Sequence, residues 1–298
     1  MLILPPIRSR DDYRAIYTAD AAWLPAMHVI CGRHGLDPAG LRRLGLGTHL
    51  VFVTGRTVLK LLCPLWPGDY PAEKAAFEII RGLPTPELIT TGLLEEWPYM
   101  LLTAVPGVPA GEVWDDLDDQ DRVRIVEQLG AIMCTLHQHP PIPQLASDWQ
   151  DFLEARLSRW REHHQPAGPW IPWLAERLDH FSEPSFEPVL LHADITGENI
   201  LLSKSGSRWR ISGFIDFGDA MMGHPYYEFI VPLIFYTLGR PHLARLLLEA
   251  YGFELTPERA RRLTTTCFLH RFARLPDYLA RYPLPDGPSF HRALWGDI

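Results

Sequence analysis

The spacing of apolar residues in the first third of the chain predicts helices followed by a β-hairpin. Most of the first forty residues favour helix, since apolar side chains recur at helical spacing from Trp23 to Ile30 and Gly35 is placed to end that helix. Two β-rich runs, LVFV and TVLKLL, then flank the short connection TGR, a pattern typical of a hairpin. The segment PAEKAAFEIIRGL is expected to be a helix, and WPYMLLTAV an apolar strand that ends at a Pro-Gly break.

The rest of the chain is predicted to be mainly helical, with one polar hairpin inside it. The segment DDLDDQDRVRIVEQLGAIMCTLHQ has apolar residues spaced for a buried helical stripe, and its leading aspartates suit the positive end of a helix dipole. The Trp-rich region from Trp149 to Ser185 is expected to be helical, and helices are expected again from Tyr226 onward. Between them, VLLHADITGENILL and WRISGFIDFGD are two β-type runs separated by the turn SKSGS.

This order of elements predicts an α+β fold with a small β-rich N-terminal lobe and a larger, mainly helical C-terminal lobe. The Pro-Gly break after the strand WPYMLLTAV is the best candidate boundary between the lobes. We therefore expect two domains, residues 1–104 and residues 105–298.

The polar residues inside LLHADITGENILL need a physical reason, because polar groups in an apolar run cost stability unless they are satisfied or used. Asp194 and Asn199 stand five positions apart, and Asp216 follows at the end of the next apolar run. In phosphoryl transfer from ATP, one carboxylate orients the attacking hydroxyl and accepts its proton, while oxygen ligands hold Mg²⁺ against the phosphates. Asp194 suits the first role, and Asn199 and Asp216 suit the second, since their order and spacing match a kinase signature. His192 is expected to brace the loop through hydrogen bonds.

The upstream half of the chain offers residues for the nucleotide. Lys60 lies on the second strand of the predicted hairpin, where a lysine that pairs with phosphates is expected. Glu73 and Glu78 on the following helix both qualify as its partner, and Glu73 is preferred because it lies beside the buried stripe of that helix. Backbone groups from Thr103 to Val105 are expected to meet an adenine edge, and LGLGTH is a weak candidate for a phosphate-covering loop.

These motifs resemble those of the aminoglycoside phosphotransferase and choline kinase family, whose fold is similar to that of protein kinases. HADITGENILL resembles the catalytic loop, GFIDFGDAMMGHP the metal loop, and TVLKLL with AEKAAFEIIRGL the Lys–Glu pair, in an order that agrees from residue 40 to residue 250. The resemblance implies a bilobal protein-kinase-like fold. It makes residues 1–104 the nucleotide-binding lobe and residues 105–298 the catalytic and substrate-binding lobe.

The resemblance also implies a role for each motif residue. It makes Asp194 the catalytic base, Asn199 and Asp216 the Mg²⁺ ligands, and Lys60 the residue that pairs with the phosphates of ATP or GTP while Glu73 orients it. The chain lacks an APE-like segment soon after Asp216, which argues against a protein kinase proper. The family's enzymes act on small molecules instead, often antibiotics or metabolites with hydroxyl and amino groups.

Two positions depart from the family's pattern. His224 stands where the family commonly has an aspartate that supports the metal loop, so the local bracing there must differ. Thr196 occupies a catalytic-loop position where a basic or imidazole side chain is frequent, so contacts to the phosphates are expected to differ there too.

Composition and charge limit the classes of partner that the chain is expected to bind. The formal net charge of −8 lacks the basic footprint of a nonspecific nucleic-acid binder. Four dispersed cysteines are expected to be separate reduced thiols, and the longest apolar run, FIVPLIFYTLG, is too short to span a bilayer. We therefore expect a cytoplasmic protein that binds neither membrane nor nucleic acid, with a monomer as the default state.

The leading functional hypothesis is an ATP-dependent phosphotransferase that phosphorylates a hydroxyl of a small molecule, with an aminoglycoside or another antibiotic as the first candidate acceptor. The alternatives are a kinase-like nucleotide-binding regulatory protein without transferase activity, or a kinase for a metabolite such as choline or a sugar. If the acceptor is cationic, carboxylates should meet its ammonium groups. The candidates in the downstream half are Asp219, Glu228, Asp277 and Asp297.

Overall fold

The chain folds into two compact units. The structure, a computed structural model, describes residues 3–45, 47–146, 148–164, 168–183 and 185–298. The unit called here the N unit comprises Met1–Glu78, Thr85–Pro106 and Asp216–Asp219, and the C unit comprises Ile79–Pro84, Gly107–Ile215 and Ala220–Ile298. The domain boundary expected at residues 104–105 stays a prediction.

The N unit is built on a five-stranded antiparallel sheet. Its strands are β1 (Arg42–Arg43), β2 (Leu50–Thr54), β3 (Thr57–Leu61), β4 (Leu88–Leu94) and β5 (Trp97–Thr103). Their order in the sheet is β1-β2-β3-β5-β4. The predicted hairpin is β2–β3, in which Thr54 pairs with Thr57 across a two-residue turn, and Gly55 supplies the positive φ of 55° that such a turn requires. Strand β4 was not predicted, since its run LITTGLL lacks a clear alternation of apolar and polar residues.

Helices complete the core of the N unit. They are α1 (Arg10–Ile16), α2 (Asp20–His34) and α3 (Asp69–Ile79). The predicted stripe of α2, with Trp23, Met27 and Ile30, is buried in the same apolar cluster as Phe52 and Leu59 of the sheet. Burying side chains of this size is the main favourable contribution to folding, at about 1.5–3 kcal/mol for each aliphatic or Phe side chain.

The strands of the C unit form two small antiparallel sheets. They are β6 (Val108–Pro109), β7 (Val189–Leu191), β8 (Ile200–Ser205), β9 (Arg208–Phe214) and β10 (Met221–Gly223). One sheet has the order β6-β8-β9 and the other pairs β10 with β7. The predicted polar hairpin is β8–β9, and the polar segment His192–Asn199 forms the loop between β7 and β8.

The remainder of the C unit is helical, as predicted. Its helices are α4 (Ala110–Val113), α5 (Asp119–His137), α6 (Trp149–Ser158), α7 (Trp160–His163), α8 (Trp170–Leu178), α9 (Pro225–Pro232), α10 (Pro241–Tyr251), α11 (Pro257–Thr266), α12 (Leu275–Arg281) and α13 (Gly287–Trp295), with a π-helical turn at Leu233–Thr237. Within the Trp-rich region, residues 165–167 and 184 lie outside the described part of the chain.

Helix α5 is the central helix of the C unit. Its predicted stripe is buried, and Asp118 caps its N-terminus by accepting a hydrogen bond from the backbone N–H of Asp121 at 2.7 Å. A side chain at Gly130 would collide with the backbone carbonyl of Leu247 in α10, so glycine permits the close packing of these two helices. Among the described residues, no helix is long and apolar enough to cross a bilayer. The five-stranded sheet of the N unit and the many helices of the C unit confirm the predicted α+β class.

Candidate active site

Two of the predicted nucleotide and metal residues, Glu73 and Asp216, meet at the side chain of a third, Lys60, in the N unit. Strand β3 places Lys60 between Val51 and Met100 of the neighbouring strands, and its ammonium group is buried. Its Nζ lies 2.7 Å from Oε2 of Glu73 and 2.8 Å from Oδ1 of Asp216. One buried cation therefore joins a helix carboxylate to the carboxylate of Asp216, which lies 156 positions after Lys60 in the chain.

The charges of this cluster support one another. Burial opposes the ammonium charge of Lys60, but the carboxylates of Asp216 and Glu73 outweigh it and raise the pKa of Lys60 above its ordinary value. Burial raises the pKa of Glu73 as well, and the Lys60 charge only partly offsets that shift. The lysine is therefore cationic at neutral pH, as a group that pairs with phosphates must be.

The other helix carboxylate, Glu78, does not take part in this cluster. It forms an exposed ion pair with Lys74, one turn earlier on the same helix. Glu73 is buried and Glu78 is more than half exposed, so the helix turns only the first of them toward the core. The structure thus brings Lys60 together with Glu73, the partner preferred from the sequence.

Asp216 has a backbone conformation that is uncommon for residues other than glycine. Its φ is 64°, in the left-handed region, and its Oδ1 accepts a hydrogen bond from the N–H of Gly218 at 3.3 Å. Aspartate is tolerated there better than most residues because its short side chain can bond the local backbone. Such backbone strain is concentrated at functional sites in proteins.

In the C unit, the loop that carries Asp194 is held by the buried carboxylate of Glu228. Oε2 of Glu228 accepts a hydrogen bond of 2.7 Å from the backbone N–H of His192, and Oε1 accepts one of 2.9 Å from the N–H of Ala193. The imidazole of His137 lies 3.5 Å from Oε2. Burial favours the neutral carboxyl, but these hydrogen bonds and nearby imidazoles outweigh it and lower the pKa of Glu228.

His192 braces the same loop through both ring nitrogens. Its Nδ1 accepts a hydrogen bond from the backbone N–H of Asp194 at 3.3 Å, and its Nε2 lies 2.9 Å from the carbonyl of Ile215. Because a carbonyl can only accept, the proton of the ring is on Nε2. The imidazole therefore joins the catalytic-loop candidate to the residue directly before Asp216.

The backbone just before Asp194 is strained. Ala193 has a φ of 63°, a region that costs a non-glycine residue about 1 kcal/mol or more. Its N–H is held by Glu228, and its carbonyl accepts a hydrogen bond of 2.9 Å from Nε2 of His270. Two buried side chains from distant parts of the sequence thus maintain a conformation that presents the carboxylate of Asp194.

Asn199 lies at the other end of the loop and contacts Asp194 directly. Its Nδ2 donates hydrogen bonds to the backbone carbonyl of Asp194 at 2.8 Å and to Oδ2 of that residue at 3.0 Å. With its nitrogen turned to Asp194, the amide presents its oxygen in another direction. Asn199 and Asp216 each carry a hard oxygen donor of the kind Mg²⁺ prefers, and their role as Mg²⁺ ligands stays a prediction.

The other predicted nucleotide contacts involve Thr103, Val105 and the segment LGLGTH. The N–H of Thr103 donates to the carbonyl of Glu87 at 3.0 Å, and its hydroxyl accepts from the N–H of Glu87 at 2.8 Å. Adenine contacts at Thr103 and Val105 stay a prediction. In the weak candidate loop LGLGTH, Leu46 lies outside the described residues, and the N–H of Gly47 donates to the Tyr17 hydroxyl.

His224 takes over a bracing task where the family commonly has an aspartate. Its Nδ1 accepts a hydrogen bond from the N–H of Tyr226 at 3.0 Å and so caps helix α9. Its ring contacts those of Phe186 and Tyr226. Burial lowers the pKa of His224 to about 4, so the cap is a neutral imidazole near pH 7.

Sequence reasoning missed two of the residues that hold the loop. The sequence offers Glu228 only as a possible contact for a cationic acceptor, whereas the structure buries it and bonds both of its carboxylate oxygens to the loop. Nothing in the local sequence of His270 distinguishes it from a solvent-facing histidine. Both residues lie far from the motif in sequence, and only tertiary packing brings them to it.

Comparison with known proteins identifies the relatives of this chain. The sequence profile of the phosphotransferase enzyme family matches residues 41–263. This span contains both the cluster around Lys60 and the loop around Asp194.

Two curated proteins are similar to parts of the chain. An aminoglycoside 3'-phosphotransferase of Streptomyces fradiae is 26% identical over 150 residues, which is 46% of this chain and 53% of that protein. A lysine-specific demethylase of Arabidopsis thaliana, JMJ21, is 25% identical over 232 residues, or 62% of this chain and 25% of that protein. The chain thus spans between a quarter and little more than half of the length of these relatives.

Solved structures show the same fold. A GDP complex of an aminoglycoside 2'-phosphotransferase mutant superposes with a TM-score of 0.69 at 16% sequence identity, covering 87% of this chain and 92% of the other. At this identity the likeness concerns the fold alone. It confirms the kinase-like architecture expected from the motifs.

Proposed function

This chain belongs to the phosphotransferase enzyme family, and on that premise we propose that it transfers the γ-phosphoryl group of ATP to a hydroxyl group of a small molecule. The observation that carries the proposal is the pairing of the buried Lys60 ammonium group with the carboxylates of Glu73 and Asp216. A lysine held between two carboxylates at these distances is positioned and charged before any ligand arrives. Positioning and electrostatic stabilisation supply most of the rate enhancement in phosphoryl transfer.

Each residue of the site has a distinct part in this reaction. Lys60 pairs with the nucleotide phosphates, and Glu73 keeps its ammonium group in place. Asn199 and Asp216 would hold Mg²⁺, which would neutralise charge on the phosphates. Asp194 orients the acceptor hydroxyl and accepts its proton. GTP is the second candidate donor, since a structural neighbour is a GDP complex.

The acceptor is proposed to be a hydroxyl-bearing antibiotic or a similar small molecule. An aminoglycoside 3'-phosphotransferase is among the relatives, which supports this class. Of the carboxylates considered for a cationic acceptor, Glu228 is engaged under the loop, and Asp277 lies 3.7 Å from the guanidinium of Arg274. The contacts of Glu228 and Asp277 therefore do not single out either carboxylate as a site for an ammonium group of the acceptor.

An assay of ADP formation tests the proposal. Purified protein with ATP and Mg²⁺ is screened against hydroxylated antibiotics, amines, sugars and simple alcohols. Asp194→Asn is expected to abolish acceptor-dependent ADP formation while nucleotide binding, followed by calorimetry, is retained. Glu198→Gln is the matched control, since Glu198 is an exposed carboxylate four positions along the same loop and should leave the rate unchanged.

Unchanged phosphoryl transfer by Asp194→Asn would refute the assignment of the base. Tight nucleotide binding without transfer to any acceptor would instead favour the alternative hypothesis, a nucleotide-binding regulatory protein.

A further inference from the structure

A small cavity opens beside Asp194 within the C unit. Its volume is about 140 Å³. Most of its wall is apolar and comes from the π-helical turn with its flanking residues and from Phe272, an exposed aromatic side chain. The apolar lining residues are Val231, Ile234, Phe235 and Phe272. A cavity of this size suits a single six-membered ring, since an engineered apolar cavity of about 150 Å³ binds benzene.

Two polar members of the wall, His270 and Tyr278, are already engaged with the protein. Nε2 of His270 is bonded to the carbonyl of Ala193, and burial lowers the pKa of this imidazole to about 4, so it is neutral near pH 7. The hydroxyl of Tyr278 donates to the carbonyl of Cys267 at 3.0 Å. Among the described residues that line the cavity, Asp194 is thus the one that carries a formal charge at neutral pH.

Two guanidinium groups lie against the aromatic walls. The guanidinium carbon of Arg281 is 4.4 Å from the ring centroid of Phe235, and that of Arg271 is 5.9 Å from the centroid of Phe272. A cation in an acceptor would therefore compete with guanidinium groups for the faces of both rings. This arrangement disfavours the ammonium groups of aminoglycosides and of choline.

We propose that this cavity binds the part of the acceptor next to the reacting hydroxyl, and that this part is one uncharged apolar ring. The inference rests on the proposed function, since it assigns the acceptor side of the same reaction. A sugar ring fits the cavity in size but brings several hydroxyl groups. Those groups would lose hydrogen bonds to water against an apolar wall, which costs binding free energy.

Four probes with a primary hydroxyl, differing in charge and polarity, test the inference. They are 2-phenylethanol, choline, glucose and kanamycin, each assayed for ADP formation with ATP and Mg²⁺. Phosphorylation of 2-phenylethanol is expected to have a kcat/KM at least about tenfold above that of the other three, the scale on which an apolar pocket discriminates. Preference for choline, glucose or kanamycin would overturn the inference.

Variants locate the effect in the cavity. Phe272→Asp places a carboxylate at an exposed position of the wall and should lower kcat/KM for 2-phenylethanol about tenfold. Leu93→Asp is the matched control, because Leu93 is equally exposed but belongs to the N unit, and it should have no effect. Equal effects of the two substitutions would contradict the assigned site.

Binding measured without turnover separates this inference from the proposed function. Ligand-observed NMR with Asp194→Asn reports whether 2-phenylethanol binds when transfer is blocked, and the Phe272→Asp change made in that background should weaken the signal. Binding that depends on Phe272, without ADP formation by the wild type, would refute the transferase and support the cavity. Absence of binding by 2-phenylethanol would refute the cavity, whatever other acceptor is phosphorylated.

Discussion

The buried carboxylate of Glu228 accepts a hydrogen bond of 2.7 Å from the backbone N–H of His192, 36 positions earlier in the chain. Glu228 lies in the first turn of helix α9, where the helix dipole favours a negative charge. The same carboxylate holds the N–H of Ala193, whose strained backbone leads into Asp194. One side chain thus fixes the loop on which the proposed base depends.

Glu228→Gln is expected to destabilise the protein and to reduce its activity. The amide retains one oxygen, so one of the two loop N–H groups loses its acceptor, at a cost of about 1–3 kcal/mol in the free energy of unfolding. Urea denaturation measures this loss, and kcat should fall while nucleotide affinity is retained. Glu198→Gln is again the control, since its carboxylate is exposed. Identical unfolding midpoints for the two variants would contradict the role given to Glu228.

Substitution of the two carboxylates of helix α3 is expected to change kcat/KM for ATP by very different amounts. Glu73→Gln removes a charged partner of Lys60, and hydrogen bonds to charged groups are worth about 1.5–3 kcal/mol, so kcat/KM for ATP should fall about tenfold or more. Glu78→Gln removes the charge of an exposed carboxylate that pairs with Lys74 and should leave kcat/KM within about twofold, because such pairs contribute little. Steady-state kinetics with varied ATP distinguish them, and a larger loss in Glu78→Gln would reverse the assignment.

Gly197→Ala is expected to displace the catalytic loop. A Cβ at this position would collide with the ring of Phe235 and lie 2.8 Å from the Cα of Gly111, so backbone or ring must move. Overpacking of this kind costs about 1–3 kcal/mol of stability, and the acceptor reaction should slow because Asp194 is three positions away. Gly32→Ala is the control, since a Cβ at that helical glycine meets open space and should stabilise the protein slightly. Equal thermal stability of the two variants would argue against a tight loop.

Three buried histidines predict that acid weakens the fold. Burial lowers the pKa of His164, His224 and His270 to about 4, while the unfolded chain protonates them near their ordinary pKa of 6.5. Between pH 6.5 and 4 the unfolded state therefore binds more protons, and the free energy of unfolding falls as pH falls, by up to about 1.4 kcal/mol per pH unit for each histidine. The raised pKa of Glu73 acts in the opposite direction, so single-residue comparisons are needed.

His224→Asn isolates one histidine of this set. Asparagine keeps an acceptor for the cap of helix α9 but does not titrate, so the decline in unfolding free energy between pH 6.5 and 4 should be shallower than in the wild type. Urea unfolding at several pH values gives both slopes. Parallel profiles would show that folding does not lower the pKa of His224.

Much of the fold followed from local pattern. The hairpin around Lys60, the helix with Glu73 and the long helix α5 have apolar residues at the period of their own structure, and local periodicity needs no knowledge of neighbours. Strand β4 could not be predicted because apolar and polar residues do not alternate clearly in its run LITTGLL. Its conformation depends on pairing with β5.

The sequence by itself determined the order and spacing of Lys60, Asp194, Asn199 and Asp216, because residue types and intervals along the chain are enough to match a family's motifs. Only the tertiary structure decided that Lys60 pairs with Glu73 and not Glu78, since burial of one helix face is a property of packing. It also decided that Glu228 and His270 hold the loop before Asp194. Hydrogen bonds between residues tens of positions apart depend on how the chain folds back, and no local pattern records them.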